Sequence, residues 1–283
     1  MIQFARIEIA RGGGLCRRCP RPKHEFLPTE QLLGVVRSNA AAVGNVFFAG
    51  HRAAGHPDIQ ALAKEAARAG AQRIRVQAAH GINPEKIPTL LSAGVRQVSF
   101  TIAAANPRVL AAMGIAEKKL EAFKSAPEAL REAARADSQR VFVHVRIPVC
   151  RHNVHELPGA VALAAEVRAD AVTLEPVDGG LDLAGSAPWI AAACDTGMVN
   201  ALWVDVEGVP YCLMPGHELH QANLVRSYAG EKARACVGCA LDAVCDGVAT
   251  AAAASSLPAV SPPEGAERIA ERIRRVRGLE DVR

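Results

Sequence analysis

No apolar run in the sequence approaches the roughly 18 residues of a membrane-spanning helix, so no membrane partner is expected. Charge of one sign is not in excess either: 33 Lys and Arg against 29 Asp and Glu leave a formal net charge of +4 over 283 residues. Aromatic residues make up only 4% of the chain, which argues against a nucleic-acid surface. The first residues, MIQFARIEIARGG, alternate like a strand and lack the order of a signal peptide, so a cytoplasmic location is expected. What is present is core material. Half of the residues are hydrophobic and 22% are charged, which excludes disorder. A prior of roughly 150 residues per domain then favours one main domain with a small appendage.

Short β-branched or aromatic runs alternate with alanine-rich helical patterns, the signature of βα units around a parallel sheet. Six strands are expected, near Gln3 (QFARIEIA), Asn45 (NVFFAG), Arg73 (RIRVQA), Arg96 (RQVSFTI), Arg140 (RVFVHVRI) and Ala171 (AVTLEP). Ile59, Leu62, Ala63 and Ala66 after the second strand, and Leu157, Val161 and Ala164 after the fifth, carry helical periodicity. Pro127 behind Ser125 reads as a helix start.

Side chains alternate across a strand, so each face can be read separately. Val141, Val143, Val145 and Ile147 share one face of the fifth strand, and Phe142, His144 and Arg146 the other. The third strand opposes Ile74 and Val76 to Arg75 and Gln77, and the fourth opposes Val98, Phe100 and Ile102 to Gln97, Ser99 and Thr101. A flat doubly wound sheet would be apolar on both faces of its central strands. One polar face predicts instead an α/β fold built as a partial (β/α)6 TIM-type barrel with a hydrated mouth. The expected organisation is a barrel over residues 1–185, a small C-terminal cysteine-rich region over 186–250, and a linker over 251–263, ATAAAASSLPAVSPP marking its low complexity. An amphipathic helix closes the chain in 264–283, with Ile269, Ile273 and Val276 on its apolar stripe. A further helix near Ala187 to Thr196 and a strand, LWVDVEG, precede the cysteines.

Of eight cysteines, Cys236, Cys239 and Cys245 are spaced C-x2-C-x5-C, with Cys212 upstream in GVPYCLMPG. Four soft thiolates among turn residues suit tetrahedral zinc or an iron-sulfur cluster. Cys16 and Cys19 form a C-x2-C pair after the first strand, at the barrel mouth, where a redox pair or half a metal site would lie. Cys150 and Cys194 lack partner spacing and read as buried hydrophobes.

In this order the motifs resemble the radical S-adenosylmethionine (SAM) enzymes that carry a C-terminal SPASM or twitch-type auxiliary cluster. FFAGHRAAGHPDI stands where that family has a glycine-rich acidic motif, VQAAHG where a TNG-like turn ends the third strand, and VRIPVCRHNVHELPG, with Asn153, resembles the segment after the fifth. PYCLMPG followed by CVGCALDAVCDGV is similar to the auxiliary-cluster end. The resemblance implies a 4Fe-4S auxiliary cluster on Cys212, Cys236, Cys239 and Cys245. It places cofactor contacts at Gly50, His51, Arg52, His80 and Asn153, and cluster ligands at Cys16 and Cys19.

The departures carry as much information. The family's first cluster is held by C-x3-C-x2-C, and its first position here is Gly12. Where the family's motif supplies an acid for the SAM amino group, this chain reads Gly50, His51, Arg52, Ala53, and a guanidinium there repels an ammonium. The TNG-like turn becomes Ala79, His80, Gly81. The preferred expectation is therefore a pseudoenzyme that retains barrel and auxiliary cluster without standard SAM cleavage. It would bind a peptide or an anionic small molecule, or a partner enzyme, in a maturation or peptide-modification pathway.

Two alternatives stand beside this expectation. One is an active radical SAM enzyme with an unusual ligand such as His51. The other is a zinc-dependent barrel hydrolase or lyase, using Cys16 and Cys19 with the loop histidines His24, His51, His56, His80, His152 and His155. The basic residues Arg17, Arg18, Arg21, Lys23, Arg52 and Arg151 near the mouth favour an anionic ligand.

Overall fold

A computed structural model of the chain describes residues 4–11, 25–177, 181–221, 231–245, 247–248 and 265–277. They fall into two compact units, one of residues 2–146 and 163–171, the other of residues 147–162 and 172–283 with residue 1. Nine strands and eight helices of six residues or more are named here: β1 (Ala5–Glu8), β2 (Ala10–Arg11), β3 (Glu25–Phe26), α1 (Thr29–Val43), β4 (Asn45–Ala49), α2 (Ile59–Arg68), β5 (Arg73–Gln77), α3 (Ile87–Ser92), β6 (Val95–Thr101), α4 (Pro107–Ala112), α5 (Lys118–Ala136), β7 (Phe142–Val149), α6 (Leu157–Glu166), β8 (Ala171–Pro176), α7 (Leu183–Val199), β9 (Trp203–Val206) and α8 (Ala266–Arg277).

Seven strands hydrogen-bond in the order β1-β4-β5-β6-β7-β8-β9, in which β1, β4, β5, β6 and β7 pair in parallel. The six expected strands are all present and consecutive in that order, as a partial TIM-type barrel requires. β2 and β3 form a separate antiparallel pair.

Register explains why the alternation in the sequence was informative. Across the first unit, Ile7, Phe48, Val76, Val98 and Val143 stand side by side. Next to them runs a row of Arg6, Phe47, Arg75, Gln97 and Phe142. The apolar row is buried under helices: Phe100, on the same face of β6, meets Phe123 of α5 edge to face with centroids 6.5 Å apart. Polar side chains of the opposite face bond to one another across strands. Arg75 donates twice to Gln97 Oε1 and lies over the Phe4 and Phe47 rings, and Ser99 Oγ is 2.8 Å from His144 Nδ1. A bulge displaces Arg96, since Ile74 pairs with Val95 but Arg75 with Gln97.

Two expected boundaries shift. Pro127 does not start a helix but sits inside α5. Leu120, Phe123, Ala126, Leu130 and Ala134 are buried on both sides of it, and this continuous apolar face outweighs the roughly 3 kcal/mol cost of an internal proline. The helix expected near Ala187 to Thr196 extends over Leu183–Val199, because Asp182 caps it by accepting the Gly185 amide at 3.0 Å.

In the second unit, the Val177 amide reaches the Val149 carbonyl at 3.1 Å and the Glu207 amide reaches that of Leu174 at 2.9 Å, carrying the sheet to β9. The C-terminal helix α8 buries Ala266, Ala270 and Ile273 against Tyr211, Leu241 and Val244. The linker at 251–263 lies outside the described residues, as does the Glu264 end of the expected helix. Among the described residues no helix is long and apolar enough to cross a membrane.

Candidate functional site

Parallel strands place their carboxyl ends, and the loops that follow, at one end of a barrel. The loop after β4 begins at Gly50, whose φ of +113° is open to glycine, and a Cβ there would lie 2.6 Å from the Ala10 carbonyl oxygen. Its amide donates to Gln77 Oε1 at 3.1 Å, tying the end of β4 to the end of β5. Two residues on, Arg52 adopts the left-handed conformation at φ 64° with its side chain exposed. A non-glycine residue held there costs on the order of 1 kcal/mol or more, a strain that concentrates at working sites. The Gly55 amide returns to the Arg52 carbonyl at 2.7 Å and closes a short 3-10 turn over Ala53–Gly55.

The loop after β5 is pinned to β6 by the Thr101 amide, which donates to the Ala79 carbonyl at 2.8 Å. It carries His80 inward, 7% exposed. Its Nδ1 has no partner among the described protein atoms. Burial first, then the charges of Lys119 and Arg52, hold the His80 pKa down to about 4 despite the opposing Thr101 bond. At neutral pH the imidazole is therefore uncharged.

Arg52, His80, Gly81, Asn83, Lys86 and, from α5, Lys119, Ala122, Ser125, Ala126 and Ala129 border a cavity of about 590 Å³ within the first unit. Small side chains on α5 leave the room, and Gly81 lets the loop approach that helix, where a Cβ would come 3.2 Å from the Ala122 carbonyl. The lining contains three permanent cations and no carboxylate.

Of the residues expected to contact a cofactor, Arg52 and His80 meet at this cavity, Gly50 shapes the loop beside it, and His51 is half-buried. Asn153 belongs to the other unit, where it is fully buried. Its Oδ1 accepts the Cys150 amide at 2.8 Å and its Nδ2 donates to the Pro148 carbonyl at 2.7 Å. Gly12, Cys16, Cys19 and His24 lie outside the described residues, as do Arg17, Arg18, Arg21 and Lys23. His56 is a structural residue, bonded to the Leu27 carbonyl and the Asp58 amide and set edge-on to Phe26. Lys86 and Lys119 were not expected here. The only trace of the cavity in the sequence is the helical spacing of Lys119, Ala122, Ala126 and Ala129.

Cys212, Cys236, Cys239 and Cys245 all lie in the second unit, half-buried, on turns around the α8 core. Burial, followed by the neighbouring thiols of Cys245, Cys236 and Cys239, pushes Cys212 up to about 11, so each of these three thiols is within electrostatic range of Cys212. Backbone amides of Tyr211 and Gly247 and the Lys232 ammonium favour the Cys245 thiolate, although burial raises its pKa overall. Lys232 also binds the carbonyls of Asp242 and Cys245, bracing the turn. Among the described residues no three His, Cys, Asp or Glu side chains are arranged to grip a metal ion. The donor set of four thiols among backbone amides fits a cluster or zinc by its chemistry, with no ligating geometry formed. Cys150 and Cys194 are buried as expected, and burial raises Cys194 to about 12.

The sequence profile of the Radical SAM superfamily matches residues 12–163, more than half of the chain, and the protein belongs to that superfamily. Among solved structures, the FeFe-hydrogenase maturase HydG from Carboxydothermus hydrogenoformans is similar at 12% identity, over 72% of this chain and 53% of that one, with a TM-score of 0.51. The radical SAM methyltransferase TsrM from Kitasatospora setae, solved with cobalamin and a [4Fe-4S] cluster, is 14% identical over 65% of this chain and 37% of its own, with a TM-score of 0.47. The chain thus spans about half or less of the length of these two proteins, and the likeness to HydG concerns the fold alone. No curated protein matches the sequence.

Proposed function

We propose that this chain is a radical SAM-fold protein that has lost standard SAM cleavage and works by binding a ligand, either a peptide, an anionic small molecule or a partner enzyme of a maturation pathway. The observation that carries the reading is Arg52. In the strained turn after β4, where the related motif supplies an acid to the SAM amino group, it is a cation beside a cavity that Lys86 and Lys119 also border. An opposite-charge contact would become a like-charge one, worth on the order of a few kcal/mol near 4 Å in a sheltered site. With Gly12 in place of a thiolate, two cysteines remain for a cluster that needs three. The residues therefore do not fit the SAM-binding cluster.

Cys212, Cys236, Cys239 and Cys245 would hold the second, auxiliary cluster. Bound there with every position filled, it would supply electron transfer or stiffness.

The test is anaerobic reconstitution with iron, sulfide and dithionite, followed by measurement of 5′-deoxyadenosine. The expected outcome is no product above background, for the native chain and for Gly12→Cys alike. Product from the native chain would establish the active-enzyme alternative.

A further inference from the structure

We propose that the cavity between the β4 and β5 loops and helix α5 binds a phosphate monoester carrying a hydroxyl group, with Arg52, Lys86 and Lys119 facing the dianion and His80 Nδ1 accepting from the hydroxyl. The proposal deepens the ligand-binding reading above and rests on it. It names the ligand class and the residues that select it.

Three features support the dianion. The lining carries Arg52, Lys86 and Lys119 and no carboxylate. Of the acids nearest in sequence, Glu121 pairs with Lys124 at 3.4 Å and Glu85 bonds Asn83, and neither they nor Glu117 borders the cavity. Three cations from three separate elements match a group of charge near −2 better than a single carboxylate. The volume of about 590 Å³ suits a small molecule.

His80 is the second, independent feature. It is more than nine-tenths buried, borders the cavity, and leaves Nδ1 without a partner among the described protein atoms. A buried unsatisfied acceptor costs about 1–3 kcal/mol until it is paired. In the tautomer that leaves Nδ1 unprotonated, its lone pair cannot meet a phosphate oxygen but takes a hydroxyl hydrogen. An anion lacking a donor would leave it unpaired, so the pocket discriminates by chemistry as well as by charge.

The experiment is calorimetric titration of the full chain at pH 7.5 with glycerol 3-phosphate and with propyl phosphate, which has the same charge and no hydroxyl. Glycerol 3-phosphate is expected to bind about tenfold tighter, the value of one hydrogen bond to an otherwise unpaired buried group. Arg52→Gln and Lys119→Gln, both at exposed positions, should each weaken both esters about fivefold or more, and His80→Phe should remove the difference between them. Circular dichroism checks that His80→Phe is folded. Should it not be, the two exposed variants and the comparison of the two esters decide alone.

Absence of binding by either ester, equal binding of both, or affinities unmoved by Arg52→Gln and Lys119→Gln would each overturn the proposal. Formation of 5′-deoxyadenosine, assayed on the same protein, reports separately on the loss of SAM cleavage. Ester binding with cleavage would overturn only that earlier reading, and neither binding nor cleavage would overturn only this one.

Discussion

Arg75 of β5 holds the Oε1 of Gln97 on β6 through two nitrogens, Nε at 3.0 Å and a terminal one at 2.8 Å, with its guanidinium carbon 4.5 Å from the Phe4 ring centre. A charge on the polar face of the sheet is thereby satisfied by a neutral amide and aromatic faces. Gln97→Leu would remove the acceptor of both of these bonds. The expected loss is about 2 kcal/mol, read as a lower urea midpoint. Gln97→Glu, which restores an acceptor with charge, should lose less.

His80 predicts a specific acid sensitivity. Its pKa is held at about 4 in the folded protein, against 6.5 for the ordinary group. Between these values the unfolded chain takes up a proton that the folded chain refuses. The contribution is therefore complete above pH 6.5 and is lost as pH falls towards 4, by a total of about 3 kcal/mol. Urea midpoints at pH 7 and pH 4.5 should fall further for the native chain than for His80→Asn. An NMR titration in which His80 turns over near 6.5 would refute the assignment.

Gly50→Ala should be poorly tolerated. The new methyl group would meet the backbone of Ala10, which cannot swing aside, at a φ that alanine avoids. A loss of about 3 kcal/mol or more is expected, through strain and overpacking together. Gly44→Ala, with a positive φ but open space, separates the two effects and should lose less.

For the four cysteines of the second unit, protein purified without oxygen should contain about four irons and four sulfides per chain. Cys236→Ser or Cys239→Ser should empty it while the far-ultraviolet dichroism of the barrel persists. Zinc in place of iron would decide for the other metal. Cys194, buried and pushed up to about 12, should resist alkylation in every variant.

The sheet was legible because its strands obey a two-residue period and one face is polar. Val143 and His144 in β7 already announced the two faces. The helices that the sequence announced were not legible in extent, since Pro127 is a local signal and the buried stripe from Leu120 to Ala134 is a tertiary one. Arg52 and His80 could be named from motif position. Lys119 could not, because α5 reaches the β5 loop only through folding, where Gly81 and Ala122 come into close approach. His56, which resembled a site residue in sequence, has both ring nitrogens bonded to backbone atoms, a distinction that spacing alone does not contain.

Helix α8 shares one core with Tyr211 and with Leu241 and Val244, the residues flanked by the cysteine turns. Segments far apart in the chain therefore melt and order together in this unit. A fusion or truncation at the C-terminus will be felt at the thiols, and chelation at the thiols will be felt as fraying of the final helix.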